Sequence, residues 1–231
     1  TWSNQGISLE ALGRSEEAVR AYDQALEIAP RFADALYRRG LVLSRAGRPE
    51  EAVRSLDETL ELEPRNADAW ATKGSDLDHL GRYEEAIRCF DKALELDPKL
   101  ATVWAAKAVS LGRLDRHEEA LRCHDKVLEF DPRNVAAWNS RCLCLVSLDR
   151  YEEAVAGYDR VLELDPANVQ AWTNKSSTLD TLGHSEEALA CIDKALELAP
   201  SEVGVLRSRG DILSRLGRFE EAIHSYDESL E

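Results

Sequence analysis

Apolar residues fall along this chain in short one-sided stripes, and the stripes come in pairs. Trp70, Gly74, Leu77 and Leu80 share one helical face; Ala86, Ile87, Phe90, Ala93, Leu94 and Leu96 share the next. Gly81 separates the two stripes as a turn residue, and Pro98 ends the second. The pattern predicts a pair of helices joined by a tight turn. Neither helix can cover its own stripe, so each pair must be covered by the next.

The pair recurs every 34 residues. Pro30, Pro64, Pro98, Pro132, Pro166 and Pro200 keep that step, as do Trp70, Trp104, Trp138 and Trp172; Trp2 is in register, with Leu36 and Leu206 filling the gaps. Asp23, Asp57, Asp91, Asp125, Asp159, Asp193 and Asp227 form an unbroken series, and so do Ala18, Ala52, Ala86, Ala120, Ala154, Ala188 and Ala222. The turn falls at Gly13, Gly47, Gly81, Asp115, Asp149, Gly183 and Gly217. Asn66, Asn134 and Asn168 stand where a first helix needs an N-cap, and each second helix opens on Glu-Glu-Ala, which suits the positive end of its dipole. Small residues (Gly6, Gly40, Gly74, Ala108, Cys142, Ser176, Gly210) hold one position of every first helix. They are expected to let the two helices of a pair approach closely, with Trp and Phe or Tyr filling the seam between repeats.

Trp70-x-x-x-Gly74-x-x-Leu77, Gly81-Arg82-Tyr83-Glu84-Glu85-Ala86, Phe90, Ala93 and Pro98 together resemble the tetratricopeptide repeat. The resemblance covers the chain as a single array of seven repeats, at approximately 1–32, 33–66, 67–100, 101–134, 135–168, 169–202 and 203–231. It implies an all-α fold, a right-handed superhelical solenoid whose first helices line a concave groove that binds a protein or peptide. One departure is a basic residue (Arg39, Lys73, Lys107, Arg141, Lys175, Arg209) where the family often has a neutral one, a variant typical of prokaryotic arrays.

Composition narrows the function. The formal net charge is −15, which argues against a nucleic-acid backbone or an anionic membrane as partner. No apolar run approaches the roughly 20 residues that span a bilayer, and the N-terminus does not read as a signal peptide. Five scattered cysteines read as thiols in a reducing compartment, which makes the cytoplasm the expected location. The chain has no Met, so a piece of a longer protein is expected.

First-helix residues outside the packing stripe are the candidate partner-binding set. They are Asn4 and Ile7, then Tyr37, Arg38, Leu41 and Arg45, then Thr72, Ser75 and His79. Val109 and Arg113 follow, then Asn139 and Leu143, Asn174 and Ser177, and finally Arg207; Ser44, Ala71, Thr102 and Ala106 belong to the same faces. These positions vary from repeat to repeat while the packing positions repeat. Either they are tuned to an asymmetric partner or they are unconstrained surface. With Glu10, Asp34, Asp68, Asp78, Asp180, Asp211 and Arg215 of the same faces counted, the charges nearly balance, so most of the negative charge lies elsewhere. No first helix contains the Lys-x-x-x-Asn of a carboxylate clamp, and only Asn4 and Asn174 match an asparagine ladder.

No chemistry competes with this reading. His79, His117, His124, His184 and His224 show no metal-ligand spacing, and Cys142 and Cys144 are two apart on a helix and point to different sides. Cys123-His124 are adjacent in a helix and cannot face each other across a cleft; there Cys fills a packing position and His replaces an aromatic. No metal, no cofactor and no catalysis are expected. The alternatives are self-association by end-to-end stacking, or the recognition arm of a larger enzyme.

Overall fold

The computed structural model describes residues 1–230, and among them the chain is helical with no strand. The first seven helices are α1 (Trp2–Ala11), α2 (Ser15–Ile28), α3 (Ala33–Arg45), α4 (Pro49–Leu62), α5 (Ala67–His79), α6 (Tyr83–Leu96) and α7 (Ala101–Arg113). The remaining seven are α8 (His117–Phe130), α9 (Val135–Ser147), α10 (Tyr151–Leu164), α11 (Val169–Thr181), α12 (Ser185–Leu198), α13 (Val203–Arg215) and α14 (Phe219–Glu228). Two compact units result, Thr1–Arg116 and His117–Glu231, each a run of stacked helices in which every helix packs on its chain neighbours. Within the first unit, α1 touches α3, α3 touches α5 and α5 touches α7; in the second, α11 touches α13. Those second-neighbour contacts join first helices, so in each unit the first-helix side is the inner, more tightly curved one.

The turns form as the pattern requires. Gly13, Gly47, Gly81, Gly183 and Gly217 have positive φ, and Asp115 and Asp149 adopt the same left-handed conformation at φ 55° and 56°. At Gly81 the following Arg82 N–H reaches back to the Leu77 carbonyl at 2.9 Å, closing the helix end. Arg82 then turns onto Glu85 in a bidentate pair at 2.7 Å, which Arg14, Arg48, Arg150 and Arg218 reproduce on their own glutamates. Asn66, Asn134 and Asn168 cap α5, α9 and α11, each accepting the backbone N–H three residues on at 2.9–3.0 Å.

In three repeats the aromatic ring of the second helix packs within its own pair as well as toward the seam expected for it. Tyr22, Phe90 and Tyr226 press on Gly6, Gly74 and Gly210 of their own repeats, where an added Cβ would stand 2.4–2.6 Å from the ring. The ring therefore fills the space within a pair, because only a residue without a side chain leaves room for it there. The second unit solves the same problem another way at Cys142. Its sulfur occupies the space, and Gly157 on α10 yields, since a Cβ on Gly157 would lie 2.4 Å from Cys142 Sγ.

Tryptophan does fill the seam between repeats. Trp70, Trp104, Trp138 and Trp172 each donate Nε1–H to the carbonyl of the proline that ends the preceding repeat, at 3.0 Å. The basic residue three positions on lies over the indole, with Lys73, Lys107, Arg141 and Lys175 5.4–5.9 Å from the ring centroid. The same cation pairs with the recurrent aspartate 16 residues earlier: Lys73 with Asp57, Lys107 with Asp91 at 2.5 Å, Arg141 with Asp125 at 2.7 Å, Lys175 with Asp159 at 2.5 Å. Arg39–Asp23 and Arg209–Asp193 complete the series at 2.6 and 2.7 Å. The departure from the family pattern is thus one half of an ion pair that ties each first helix to the second helix before it.

Between α3 and α5, Asp76 is buried at 1% exposure. One carboxylate oxygen accepts from Ser44 Oγ at 2.7 Å, and the other has no partner among the described residues. Burial pushes its pKa above the ordinary aspartate value.

Two outcomes follow from this packing. Gly157→Ala alone is expected to cost about 1–3 kcal/mol in a urea melt, since the methyl overlaps the Cys142 sulfur. The loss should largely vanish in the Cys142→Ala background, where the two β-carbons would stand 3.9 Å apart; equal losses in both backgrounds would refute the compensation. Asp76→Asn is expected to stabilise the fold at neutral pH. A carboxyl with a raised folded pKa contributes fully only while protonated and loses that contribution as pH rises through the folded value. The gain should therefore fade toward about pH 4, and melts that show the same gain at both pH values would contradict it.

Candidate interaction groove

The first helices place the candidate residues by register. Positions one turn apart along α3, α5 and α7 point to the inner side of the first unit. There Leu41, Arg45, Thr72 and Ser75 come together around a cleft of about 320 Å³, with Ser44, Ala71, Thr102 and Ala106 beside them. Phe90 and Val103 complete the wall. Sequence reasoning had given Phe90 to packing alone, and its apolar stripe carries no sign of a second role.

The polar groups of this cleft are already oriented. Thr72 Oγ1 donates to the Asp68 carbonyl at 2.8 Å and Ser75 Oγ to the Ala71 carbonyl at 3.2 Å. Both hydroxyls have spent their proton within their own helix and offer the groove acceptor lone pairs. Arg38 is held by Asp34 at 3.0 Å, and Arg45 reaches back to Glu10 of α1 at 2.7 Å. Glu10 also accepts the Tyr22 hydroxyl at 3.2 Å. Tyr37 is half-buried, and burial raises its pKa.

The other candidates lie outside that cleft. Asn4 and Ile7 are exposed on α1; His79 and Arg113 are exposed in the last turns of α5 and α7; Val109 is exposed at 51%. In the second unit Leu143 stands 50% exposed on α9, with Asn139 half-buried beside it. Asn139 Nδ2 donates to the Val135 carbonyl at 3.2 Å, while its Oδ1 has no partner among the described residues. Asn174 accepts from Gln170 at 2.8 Å, and Ser177 and Arg207 are exposed. None of the sixteen candidates is buried.

The residues that could carry other chemistry are packed away. All five cysteines are buried thiols. Burial pushes the thiol of Cys142 up to about 12, and those of Cys89, Cys144 and Cys191 in the same direction. His124, beside Cys123, is 6% exposed with Nδ1 unpartnered among the described residues, and burial holds its pKa below the usual histidine value. Among the described residues there is no cluster of three or more metal-ligating side chains, and no helix is long and apolar enough to cross a membrane. A thiol reagent at neutral pH should therefore label the native protein slowly and all five cysteines rapidly after unfolding. Fast labelling of native Cys123 would reopen the Cys–His reading.

Comparison with known proteins fits this geometry. Three family models described as tetratricopeptide repeat match, one over residues 67–100, one over 3–53 and 105–169, and one over 169–202 and 208–231. No curated protein matches the chain. Among solved structures, YrrB, described as "a TPR protein with an unusual peptide-binding site", is 25% identical with a TM-score of 0.74, covering 83% of this chain and 98% of its own. MamA from Desulfovibrio magneticus is 24% identical at a TM-score of 0.69, covering 74% and 96%. A tetratricopeptide repeat protein from Parabacteroides merdae is 18% identical at 0.71, covering 99% and 90%. The latter two likenesses are of fold alone. With its repeats matched along most of their length and its helices paired and stacked as described, this chain belongs to the tetratricopeptide repeat family.

Proposed function

We propose that the chain is an interaction scaffold that holds a segment of another protein against its first-helix face. The observation that carries this reading is the surface itself. On the inner side of each unit a half-exposed apolar side chain, Val109 in the first and Leu143 in the second, stands among polar groups, the mixture that recognition surfaces use. The changing residues on that face, set on an unchanging frame, support the same reading. So does the peptide-binding site named for YrrB, carried here as analogy. On this reading the protein binds and does not catalyse.

A second reading is self-association, in which a second copy covers the face of α14 that a following helix would otherwise cover. Ile223 is 58% exposed, whereas Val19, Val53, Ile87, Leu121 and Leu189 at the same register position are 5–7% exposed. Val19 and Leu189 share core clusters with residues of the following first helix. α14 thus displays a face that elsewhere receives another helix.

Affinity capture with the chain and with a Val109→Glu, Leu143→Glu variant tests the first reading. Both sites are exposed, so the variant should melt like the parent. The expected result is a partner retained by the parent and lost by the variant. Identical captures by both baits would remove the groove from the reading. Capture of the chain's own copies alone, with mass rising in a light-scattering dilution series, would favour self-association.

A further inference from the structure

We infer that the loop between α2 and α3 is a docking site for a tryptophan side chain of a partner protein, which lies on Pro30 and Phe32 and donates its indole N–H to the Pro30 carbonyl. The site is on the loop edge of the first unit and shares no residue with the first-helix cleft, so it stands apart from the groove reading.

The chain's own repeats supply the template. At Pro64, Pro98, Pro132 and Pro166 a tryptophan six residues on lies along the loop and donates to the proline carbonyl at 3.0 Å. Six residues after Pro30 stands Leu36, buried at 3% exposure and with no side-chain N–H to give. The Pro30 carbonyl accepts no hydrogen bond among the described residues. The seam behind that loop is nevertheless closed. Arg39, with no indole beneath it, pairs with Asp23 and also donates from Nη1 to Ser55 Oγ at 2.5 Å. The Leu206 seam repeats this device, with Arg209 on Asp193 and on Ser225 Oγ at 2.7 Å. In the tryptophan seams the position of Ser55 holds Cys or Gly. Leu36 therefore belongs to a coherent second type of seam, and what its smaller side chain leaves uncovered is the loop.

The uncovered loop has the chemistry of a receptor. A shallow, mainly apolar hollow of about 610 Å³ opens on it against Ala29, Pro30, Arg31 and Phe32. Phe32 stands where Asn66, Asn134 and Asn168 cap their helices; it makes no cap bond, and its ring is 40% exposed. The helix forgoes its cap there for an aromatic ring that the fold leaves in solvent. Ile28 at the end of α2 is 75% exposed, and the next most exposed described residue at its position is Phe130 at 45%. An indole suits this surface, because it joins a broad apolar ring to one N–H at its edge, and the hollow joins apolar walls to one open carbonyl. The four sibling loops already hold an indole by that same bond.

The test supplies the indole first from outside and then from within. The isotopically labelled full chain is titrated with N-acetyl-tryptophanamide and followed by NMR, beside its N-methylindole analogue and the phenylalanine and leucine amides. Saturable shifts of the Arg31 and Phe32 amides are expected. The N-methylindole analogue, which lacks the donor, should bind about fivefold more weakly, and the phenylalanine and leucine amides at least as weakly as that. Leu36→Trp places an indole on the loop from its own helix and is expected to raise the melting temperature and abolish probe binding. Phe32→Asn restores the cap and should raise the melting temperature while weakening binding. A tryptophan probe that binds no better than its methylated or phenylalanine counterpart would overturn the inference, as would shifts spread equally over the Pro64 and Pro98 loops, or no saturable shift at all. Binding retained by a folded Leu36→Trp would place the probe elsewhere and overturn it too. If Leu36→Trp does not fold, undiminished binding by Phe32→Asn is the overturning result. None of these outcomes touches the groove reading, which Val109→Glu and Leu143→Glu test separately.

Discussion

The spacing of two helices at one point governs the rest of this structure. Where Phe90 lies on Gly74, Tyr22 on Gly6 and Tyr226 on Gly210, the backbones approach to the thickness of a ring, and the remaining contacts of the pair follow from that distance. The stripe above the contact is then left facing outward along the stack, where only the next repeat can cover it. Every later element inherits this arrangement: the tryptophan that seals the seam, the cation laid over it and the aspartate that holds the cation.

That last set shows how the first-helix face stays free to change. Packing is satisfied on the outer and lateral sides of each first helix by glycine or another small residue, tryptophan and the paired cation. The inner side carries less of that work, although Tyr37 packs on Leu56, Leu60 and Ala69, and Ala71 and Ala106 pack on the Phe90 cluster. Leu41, Ser75, Val109, Leu143 and Ser177 share one register position and differ from repeat to repeat, and none of them is buried or part of an ion pair. The side chains of this face can thus drift on a frame that other residues hold.

The periodic residues made the fold legible: prolines, tryptophans and turn glycines announce helix ends and seams because each has a backbone or size requirement that few others meet. The sequence also shows the recurrent aspartate and the recurrent cation, but as two separate series. Their partnership spans 16 residues across a helix and a turn, and no local pattern announces it. The ring's contact within the pair was not legible for a related reason, since a stripe of apolar residues says which face is covered and not by what. The candidate groove was legible as a face, and no residue chosen for it is buried. Which of those residues share a cleft was not legible, because that depends on how three successive first helices lie against one another. Exceptions such as Asp76 facing Ser44 depend on neighbours 32 residues away.

The trade between Cys142 and Gly157 bears on how such an array can be rebuilt. Repeats that share a length and an outline invite the idea of interchangeable parts, with duplication and unequal exchange as the natural source of new arrays. Here the bulk removed from α10 is the bulk added to α9. A crossover inside the turn that joins them would unite a filled helix with another filled one, or an emptied helix with another emptied one. For this repeat the heritable module is therefore the whole hairpin, and a crossover that keeps the pair together falls at its joints with its neighbours.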